Sequence, residues 1–183
     1  LLITMTELTK NKIRNQFPEI KNITKINNPV IDDSLFKKSR IILDKEILKI
    51  FKNNKIIVSI GRLTRQKNFS ELLDGYNLFQ KKLKREGIEN KYYLFILGSG
   101  EDINKLESLK SFKNIVNLQF LGFQKNPFNI LKHADLYISS SLWEDPGHTL
   151  IEASALRVPI ITSKCESGPI EFYNNDNSMT YNC

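Results

Sequence analysis

The stretch "EDPGHTLIEA" places two carboxylates, Glu144 and Glu152, on either side of a Pro-Gly turn, with seven residues between them. On an unbroken helix they would lie roughly 12 Å apart, which is too far for two acids that act on one atom. If Pro146 and Gly147 instead begin a helix, Glu144 lies in the preceding loop and Glu152 in the second turn. The free N–H groups of the helix N-terminus then form an anion site between the two acids. A sugar nucleotide, with hydroxyl groups at both ends and phosphate in the middle, fits this arrangement.

Two earlier loops also carry residues suited to a phosphorylated ligand. In "SIGRLTRQKN", Gly61 allows a tight turn, while the Arg62 fork and the Lys67 point charge suit a diphosphate. A basic loop can equally be a solvated one, and this pattern alone leaves both interpretations open. In "LGSGE", Gly98 and Gly100 predict either a close approach to a ligand or a tight strand-to-helix turn.

From residue 55 onward, short apolar runs alternate with helical patterns. The near-continuous apolar strands predict an α/β fold, a Rossmann-like parallel sheet with helices on both faces. In such sheets the ligand binds beyond the carboxyl ends of the strands, where all the loops above lie. Asn68 and Glu71 form a predicted capping box at the first of these helices. The predicted strands are 55–60, 91–97, 116–122, 135–141 and 158–162, and the predicted helices are 68–85, 101–112, a short one opening at Pro127, and 147–156.

The first 50 residues follow a different pattern. "LLITMT" predicts a strand, "ELTKNKIRNQF" a helix, and "ITKINNPVI" a strand that runs into an Asn-Pro turn. The next segment, "DDSLFKKSR", is polar and is interpreted as a linker. A domain boundary is therefore predicted near residues 30–36.

Composition limits the classes of function. The 183 residues, 40% hydrophobic and 26% charged, are enough for one good-sized domain, or one domain plus part of another. Neither a membrane-spanning apolar run nor a signal peptide is recognised, and Cys165 and Cys183 show no disulfide or metal-ligand pattern, so we expect a reducing cytoplasm.

The net charge of +7 raises the question of an anionic partner. The densest basic cluster, "QKKLKREG", is typical of a solvated helix face, with an anionic membrane or another partner as the alternative. Nucleic acid is not expected, because the chain has no RNP-type aromatic motif, helix-turn-helix signature or zinc ligands.

Between about residues 55 and 172 the chain carries a series of motifs in a fixed order: Gly61-Arg62, Lys67-Asn68, Gly98-Ser99-Gly100, "FLG" at 120–122, Glu144 with Glu152, "VPII" at 158–161 and "SGPIE" at 167–171. Taken together, they resemble the C-terminal, donor-binding domain of retaining GT-B glycosyltransferases, the large family 4 group. One departure is Asp145-Pro146, where many members have Gly-Phe after the first glutamate.

The resemblance implies a role for each candidate residue. The catalytic set would be Arg62 and Lys67, which hold the donor diphosphate and stabilise the leaving group, and Glu144, which positions the donor sugar. Glu152 would accept hydrogen bonds from the ribose. The remaining substrate-binding residues would be Gly61, Gly98, Gly100, Phe123, Gln124, Gly147, His148 and Thr149. No metal site and no cofactor are implied, and no D-x-D sequence occurs.

The implied activity is transfer of a sugar from a UDP- or GDP-linked donor to a saccharide or lipid-linked acceptor, with retention of configuration, in polysaccharide biosynthesis. Residues 1–36 would be a remnant of the N-terminal acceptor domain plus the linker, and residues 37–183 the nucleotide-sugar-binding domain, truncated at its C-terminal end. This chain alone is then expected to be an incomplete enzyme, cytoplasmic or peripheral at the inner face of the cell membrane. The alternative is a non-catalytic Rossmann-like nucleotide-binding module or an inactive fragment.

Overall fold

A computed structural model describes residues 1–165, 171 and 179–181 of the chain. Near the N-terminus, strands β1 (Leu2–Thr4) and β2 (Ile23–Lys25) pair in parallel as a small separate sheet. The main sheet contains β3 (Lys55–Ile60), β4 (Tyr92–Leu97), β5 (Leu118–Gly122), β6 (Leu136–Ser139), β7 (Ile160–Ser163) and β8 (Met179–Tyr181). Its six strands are all paired in parallel, in the order β5-β4-β3-β6-β7-β8. The predicted parallel α/β sheet is confirmed.

Helices connect the strands of the main sheet, as the alternating pattern predicts. These connecting helices are α4 (Phe69–Arg85), α5 (Ile103–Phe112), α6 (Phe128–Leu131) and α7 (His148–Ala155), with a short 3-10 helix at Arg65–Lys67. Earlier in the chain, α1 (Glu7–Gln16) connects β1 and β2, and α2 (Asp33–Ser39) and α3 (Lys45–Asn53) precede β3. No helix in the part of the chain that the structure describes is long and apolar enough to cross a membrane. The basic residues in the last turn of α4 are exposed, which fits a solvated helix face.

Residues 32–40, interpreted as a linker, contain helix α2, which the sequence analysis did not predict. The Asp32 carboxylate accepts hydrogen bonds from the backbone N–H groups of Ser34 and Leu35 and so caps the N-terminus of α2. Leu35 is buried, so this polar segment still contributes an apolar anchor. Helix α2 therefore begins within the predicted boundary region, residues 30–36, and the boundary itself stays a prediction.

Two apolar layers cover the two faces of the main sheet. In β3, Ile56 and Val58 belong to the layer on one face, and Ile57 belongs to the layer on the other. Helices α3, α6 and α7 pack against the first face, and α4 and α5 pack against the second. Both faces are buried, which explains why the strand sequences are continuously apolar rather than alternating.

Because the strands are parallel, the loops that follow β3, β4, β5 and β6 lie at one edge of the sheet. Asn68 ends the first of these loops and is the N-cap of α4, but in a left-handed conformation (φ 48°). Its side-chain amide donates to the Glu71 carboxylate instead of accepting a backbone hydrogen bond. Asn68 and Glu71 thus lie at the predicted positions of a capping box, but the hydrogen bond joins their two side chains instead of a side chain and a backbone N–H.

Candidate functional site

The centre of the site is an ion pair between Lys67 and Glu144. Lys67 lies in the loop after β3, and its Nζ donates to Glu144 Oε1 in the loop after β6. The aliphatic part of Lys67 crosses Gly61, where an added Cβ would lie 3.0 Å from the lysine side chain. Gly61 therefore leaves room for the lysine to reach Glu144, which is only 5% exposed.

Two serines hold this ion pair in position. Ser141 Oγ donates to Glu144 Oε1 at 2.6 Å, and Ser140 Oγ donates to the backbone carbonyl of Lys67 at 2.8 Å. Both serines are buried. The sequence analysis did not select them, although a run of three serines at the carboxyl end of a buried strand is a readable signal.

Gln66 joins the same two loops through its side-chain amide and its backbone carbonyl. Its Nε2 donates to the carbonyl of Trp143 at 2.9 Å, and its backbone carbonyl accepts from the N–H of Leu142 at 2.8 Å. The loops that carry the lysine and the glutamate are therefore fixed to each other before any ligand arrives.

Helix α7 begins where the Pro-Gly turn predicts. Gly147 is its N-cap, with φ of 88°, a conformation that favours glycine. The N–H of Leu150 donates to the carbonyl of Gly147 at 3.1 Å, whereas the N–H groups of His148 and Thr149 precede the first hydrogen-bonded residue of the helix and are suited to an anion. A cavity of about 180 Å³ lies at this helix start, lined by Lys67, Glu144, Asp145, Gly147, His148 and Thr149.

A buried tyrosine forms a hydrogen bond with Thr149, which lines the cavity. Tyr137, on β6, donates its hydroxyl hydrogen to Thr149 Oγ1 at 2.8 Å. Burial raises the pKa of Tyr137, so the hydroxyl stays protonated and remains a donor.

Glu152 lies in the second turn of α7, as expected, and differs from Glu144 in its surroundings. It is half-buried, and among the described residues its carboxylate has no hydrogen bond or ion pair. Burial raises the pKa of Glu152 to about 7. A half-buried acid without a protein partner is suited to accept hydrogen bonds from a ligand.

The glycines of "LGSGE" make close contacts within the protein. A Cβ at Gly98 would lie 1.9 Å from the carbonyl oxygen of Gly61, and a Cβ at Gly100 would lie 2.3 Å from that of Leu63. The loop after β4 is thus packed against the backbone of the loop after β3. Of the two interpretations left open, this contact accounts for both glycines without a ligand, and their predicted role in binding stays a prediction.

Three other predicted residues lie outside the cavity. Arg62 is exposed, and its guanidinium has no hydrogen bond or ion pair to the described part of the chain. Phe123 is 74% exposed, and Gln124 Nε2 donates to the carbonyl of Leu121 at 2.7 Å. All three follow strands of the main sheet at the edge that carries the cavity, and their roles stay predictions.

Residues near the N-terminus contact the site, which the sequence analysis did not predict. Asn28 Nδ2 lies 2.9 Å from His148 Nε2, and Thr9 Oγ1 donates to Asp145 Oδ2 at 2.8 Å. Both contacts join the segment around β1, α1 and β2 to the loop before α7. The sequence offers no signal for them, because the partners are 120 and 136 positions apart.

Glu171 makes a third contact with the N-terminal segment. It accepts from the N–H of Leu8 at 2.8 Å and from Lys25 Nζ at 3.0 Å. Burial opposes its ionisation, but these hydrogen bonds and the lysine charge hold the pKa of Glu171 below its ordinary value. The rest of the "SGPIE" motif, residues 167–170, lies outside the described residues.

A doubly covered parallel sheet with a charged cavity at its carboxyl edge defines a Rossmann-like domain. The sequence model of the family described as "Glycosyl transferases group 1" matches residues 41–180. The chain belongs to this group 1 glycosyltransferase family.

Similar proteins include an uncharacterized glycosyltransferase of Methanocaldococcus jannaschii, 38% identical over 93% of this chain and 41% of that protein. A poly(ribitol-phosphate) alpha-N-acetylglucosaminyltransferase of Staphylococcus aureus is 28% identical over 98% of this chain and 33% of that protein. The structure of S. aureus TarM in complex with Fondaparinux, alpha-GlcNAc-glycerol and UDP has a TM-score of 0.77 and 25% identity over 98% of this chain and 33% of that one. The chain thus spans less than half the length of each of these relatives.

Proposed function

We propose that this chain is the donor-binding half of a retaining nucleotide-sugar glycosyltransferase, which transfers a sugar to a saccharide or lipid-linked acceptor. The observation that carries the proposal is the Lys67–Glu144 ion pair at the start of α7, with Glu152 in the next turn. Glu144 offers a hydroxyl acceptor, Lys67 and the N-terminus of α7 offer a site for an anion, and Glu152 offers a second hydroxyl acceptor. The order matches the sugar, diphosphate and ribose of the donor.

The chemistry follows from where charge develops. When the glycosyl–phosphate bond breaks, negative charge grows on the departing diphosphate, and preorganised cations and helix amides stabilise it. Lys67 and Arg62 supply the positive charge in this proposal. Glu144 is held by Lys67 and Ser141, which suits a positioning group for the sugar rather than a nucleophile.

Relatives support the choice of donor and acceptor. The structure of S. aureus TarM contains UDP, and the S. aureus transferase named above acts on a poly(ribitol-phosphate) with N-acetylglucosamine. We infer a UDP-linked donor and an acceptor in a surface polysaccharide or glycolipid, handled in the cytoplasm or at the inner face of the membrane.

Calorimetric titration of the chain with UDP, UDP-sugars, GDP-sugars and single-stranded RNA tests this proposal. We expect UDP and a UDP-sugar to bind and RNA not to bind. A non-catalytic nucleotide-binding module would bind UDP with no gain from an attached sugar, and that result would favour the alternative.

The two glutamates give a sharper version of the same test. Glu152→Gln should weaken UDP and UDP-sugar alike, because both contain the ribose. Glu144→Gln should spare UDP and weaken only the UDP-sugar. At about pH 8.5, above the raised pKa of Glu152, hydrogen bonds to a charged acceptor are worth about 1.5–3 kcal/mol, so each loss should be roughly tenfold or more. If both variants only lower the melting temperature and leave the affinities unchanged, the two acids have structural roles and the proposal fails.

A further inference from the structure

The contact between Asn28 and His148 determines which ring nitrogen carries the proton. Asn28 Nδ2 lies 2.9 Å from His148 Nε2. An amide nitrogen can only donate a hydrogen bond, so Nε2 must be the acceptor and must be unprotonated. The neutral ring of His148 then carries its proton on Nδ1.

The orientation of the Asn28 amide has independent support. The same Nδ2 lies 3.8 Å from Met5 Sδ, a second and weaker acceptor. Reversing the amide would turn its carbonyl oxygen toward the thioether sulfur and lose this contact. The thioether, which is an acceptor whatever the tautomer of His148, therefore favours the orientation that makes Asn28 the donor.

The protonated Nδ1 is available to a ligand. His148 lines the cavity with Lys67 and Glu144, and among the described residues its Nδ1 has no hydrogen-bond partner. We propose that Asn28 is a positioning residue that holds His148 as the neutral Nδ1–H tautomer, so that the ring donates a hydrogen bond to a diphosphate oxygen of the donor. This inference rests on the proposed function for its ligand, but not for the tautomer itself.

The inference gives the N-terminal segment a role in binding the donor. Asn28 lies between β2 and α2, outside the strand-and-helix repeat that builds the sheet. By orienting His148, Asn28 provides a neutral hydrogen-bond donor in a site that also contains the cation of Lys67 and the N-terminus of α7. Thr9 contacts the neighbouring Asp145 in the same junction without touching His148, and so offers a matched control.

Nitrogen-15 NMR of the imidazole rings tests the tautomer. The chain has two histidines, so a His148→Gln variant assigns both signals. At about pH 8.5, where an ordinary imidazole is neutral, we expect His148 to be Nδ1–H. Asn28→Asp should reverse this to Nε2–H, because a carboxylate can only accept. An Nε2–H ring in the unaltered chain, or no reversal in Asn28→Asp, would overturn the inference.

UDP affinity tests the role in binding. Asn28→Ala should weaken UDP about threefold to tenfold and His148→Ala about tenfold, while the double variant should be no weaker than His148→Ala alone. Thr9→Val should stay within about twofold of the unaltered chain. Additive losses in the double variant would overturn the coupling between the two residues. Failure of the unaltered chain to bind UDP would instead overturn the proposed function and the ligand in this inference, while the NMR result still decides the tautomer.

Discussion

The lysine and glutamate at the centre of the site have a structural role in the fold and a ligand-binding role in our proposal. The side chains of Lys67 and Glu144 are 16% and 7% exposed, so both charges have lost most of their water. A buried ion pair recovers little more than the cost of this desolvation, and removing one partner leaves the other uncompensated. A hydrogen bond from Lys67 to a ligand phosphate then needs little further desolvation or ordering of the lysine, because its side chain is already desolvated and fixed.

Lys67→Ala and Arg62→Ala should therefore differ in stability but agree in binding. Both should weaken UDP by about 1.5–3 kcal/mol, the range for charge-assisted hydrogen bonds, and leave uridine affinity nearly unchanged. Only Lys67→Ala should also lower the melting temperature, because it removes the cation that pairs with the buried Glu144. Calorimetry and thermal unfolding measure the two effects, with the exposed Arg65→Ala in the same loop as control. Equal losses for UDP and uridine would refute the phosphate assignment.

Glu152 should make stability depend on pH. The folded chain holds its carboxyl proton up to about pH 7, whereas the unfolded chain releases it near 4.5. As the pH rises from about 4.5 to about 7, the free energy of unfolding should fall, because the folded state holds a proton that the unfolded state has released. Above about pH 7 both states are ionised, and the contribution of Glu152 should be level. Glu152→Gln should match the unaltered chain at the acid end and exceed it above pH 7 by roughly 1–2 kcal/mol, allowing for solvent screening. Urea unfolding at pH values across this interval measures the free energy of unfolding, with Glu107→Gln as an exposed control. The burial argument is wrong if the two chains are equally stable at pH 8.

At the scale of elements, the loops at the carboxyl edge support one another through their backbones. The N–H of Leu63 donates to the carbonyl of Ser99 at 2.9 Å, and the N–H of Asp102 donates to that of Leu63 at 3.0 Å. Gly98 (φ 137°) lies where this packing leaves no space for a side chain. The loop after β4 thus braces the loop that carries Lys67.

Alanine at two glycines should have opposite effects. Gly98→Ala places a Cβ 1.9 Å from the carbonyl oxygen of Gly61, in a backbone conformation strained for alanine, and should destabilise the chain by about 2 kcal/mol or more. Gly75→Ala, within α4 and with no atom within 4 Å of its Cβ, should stabilise it by about 0.5–1 kcal/mol. Midpoints of urea unfolding measure both changes. A neutral Gly98→Ala would mean that the loop can move aside and does not brace its neighbour.

For the whole molecule, the positive charge needed by a diphosphate is supplied by the protein in our proposal. Lys67, Arg62 and the N-terminus of α7 lie at one edge of the sheet and take the place that a divalent cation has in other phosphate sites. We expect the Kd for UDP to change by no more than about twofold between EDTA and added Mg²⁺ or Mn²⁺. An absolute requirement for either ion would contradict the assignment of these groups.

The sequence alone determined the class of fold and most of the elements. Buried parallel strands need continuous apolar runs, and helices need apolar spacing of 3.6 residues with capping at their ends, so each leaves a local pattern. The start of α7 was predictable for the same reason, because Pro146 and Gly147 act on their own backbone. Helix α2 was missed because its short polar surface hides a single buried anchor, Leu35, which no periodicity reveals.

Only the tertiary structure decided which side chains meet. Lys67 and Glu144 are 77 positions apart and come together because β3 and β6 are neighbours in the sheet, although β4 and β5 separate them in the chain. The contact of Asn28 with His148 likewise depends on how the N-terminal segment packs against the loop before α7. Strand order and packing arise from interactions between distant parts of the chain, whose energies are shared among many residues and leave no mark in the sequence around any one of them.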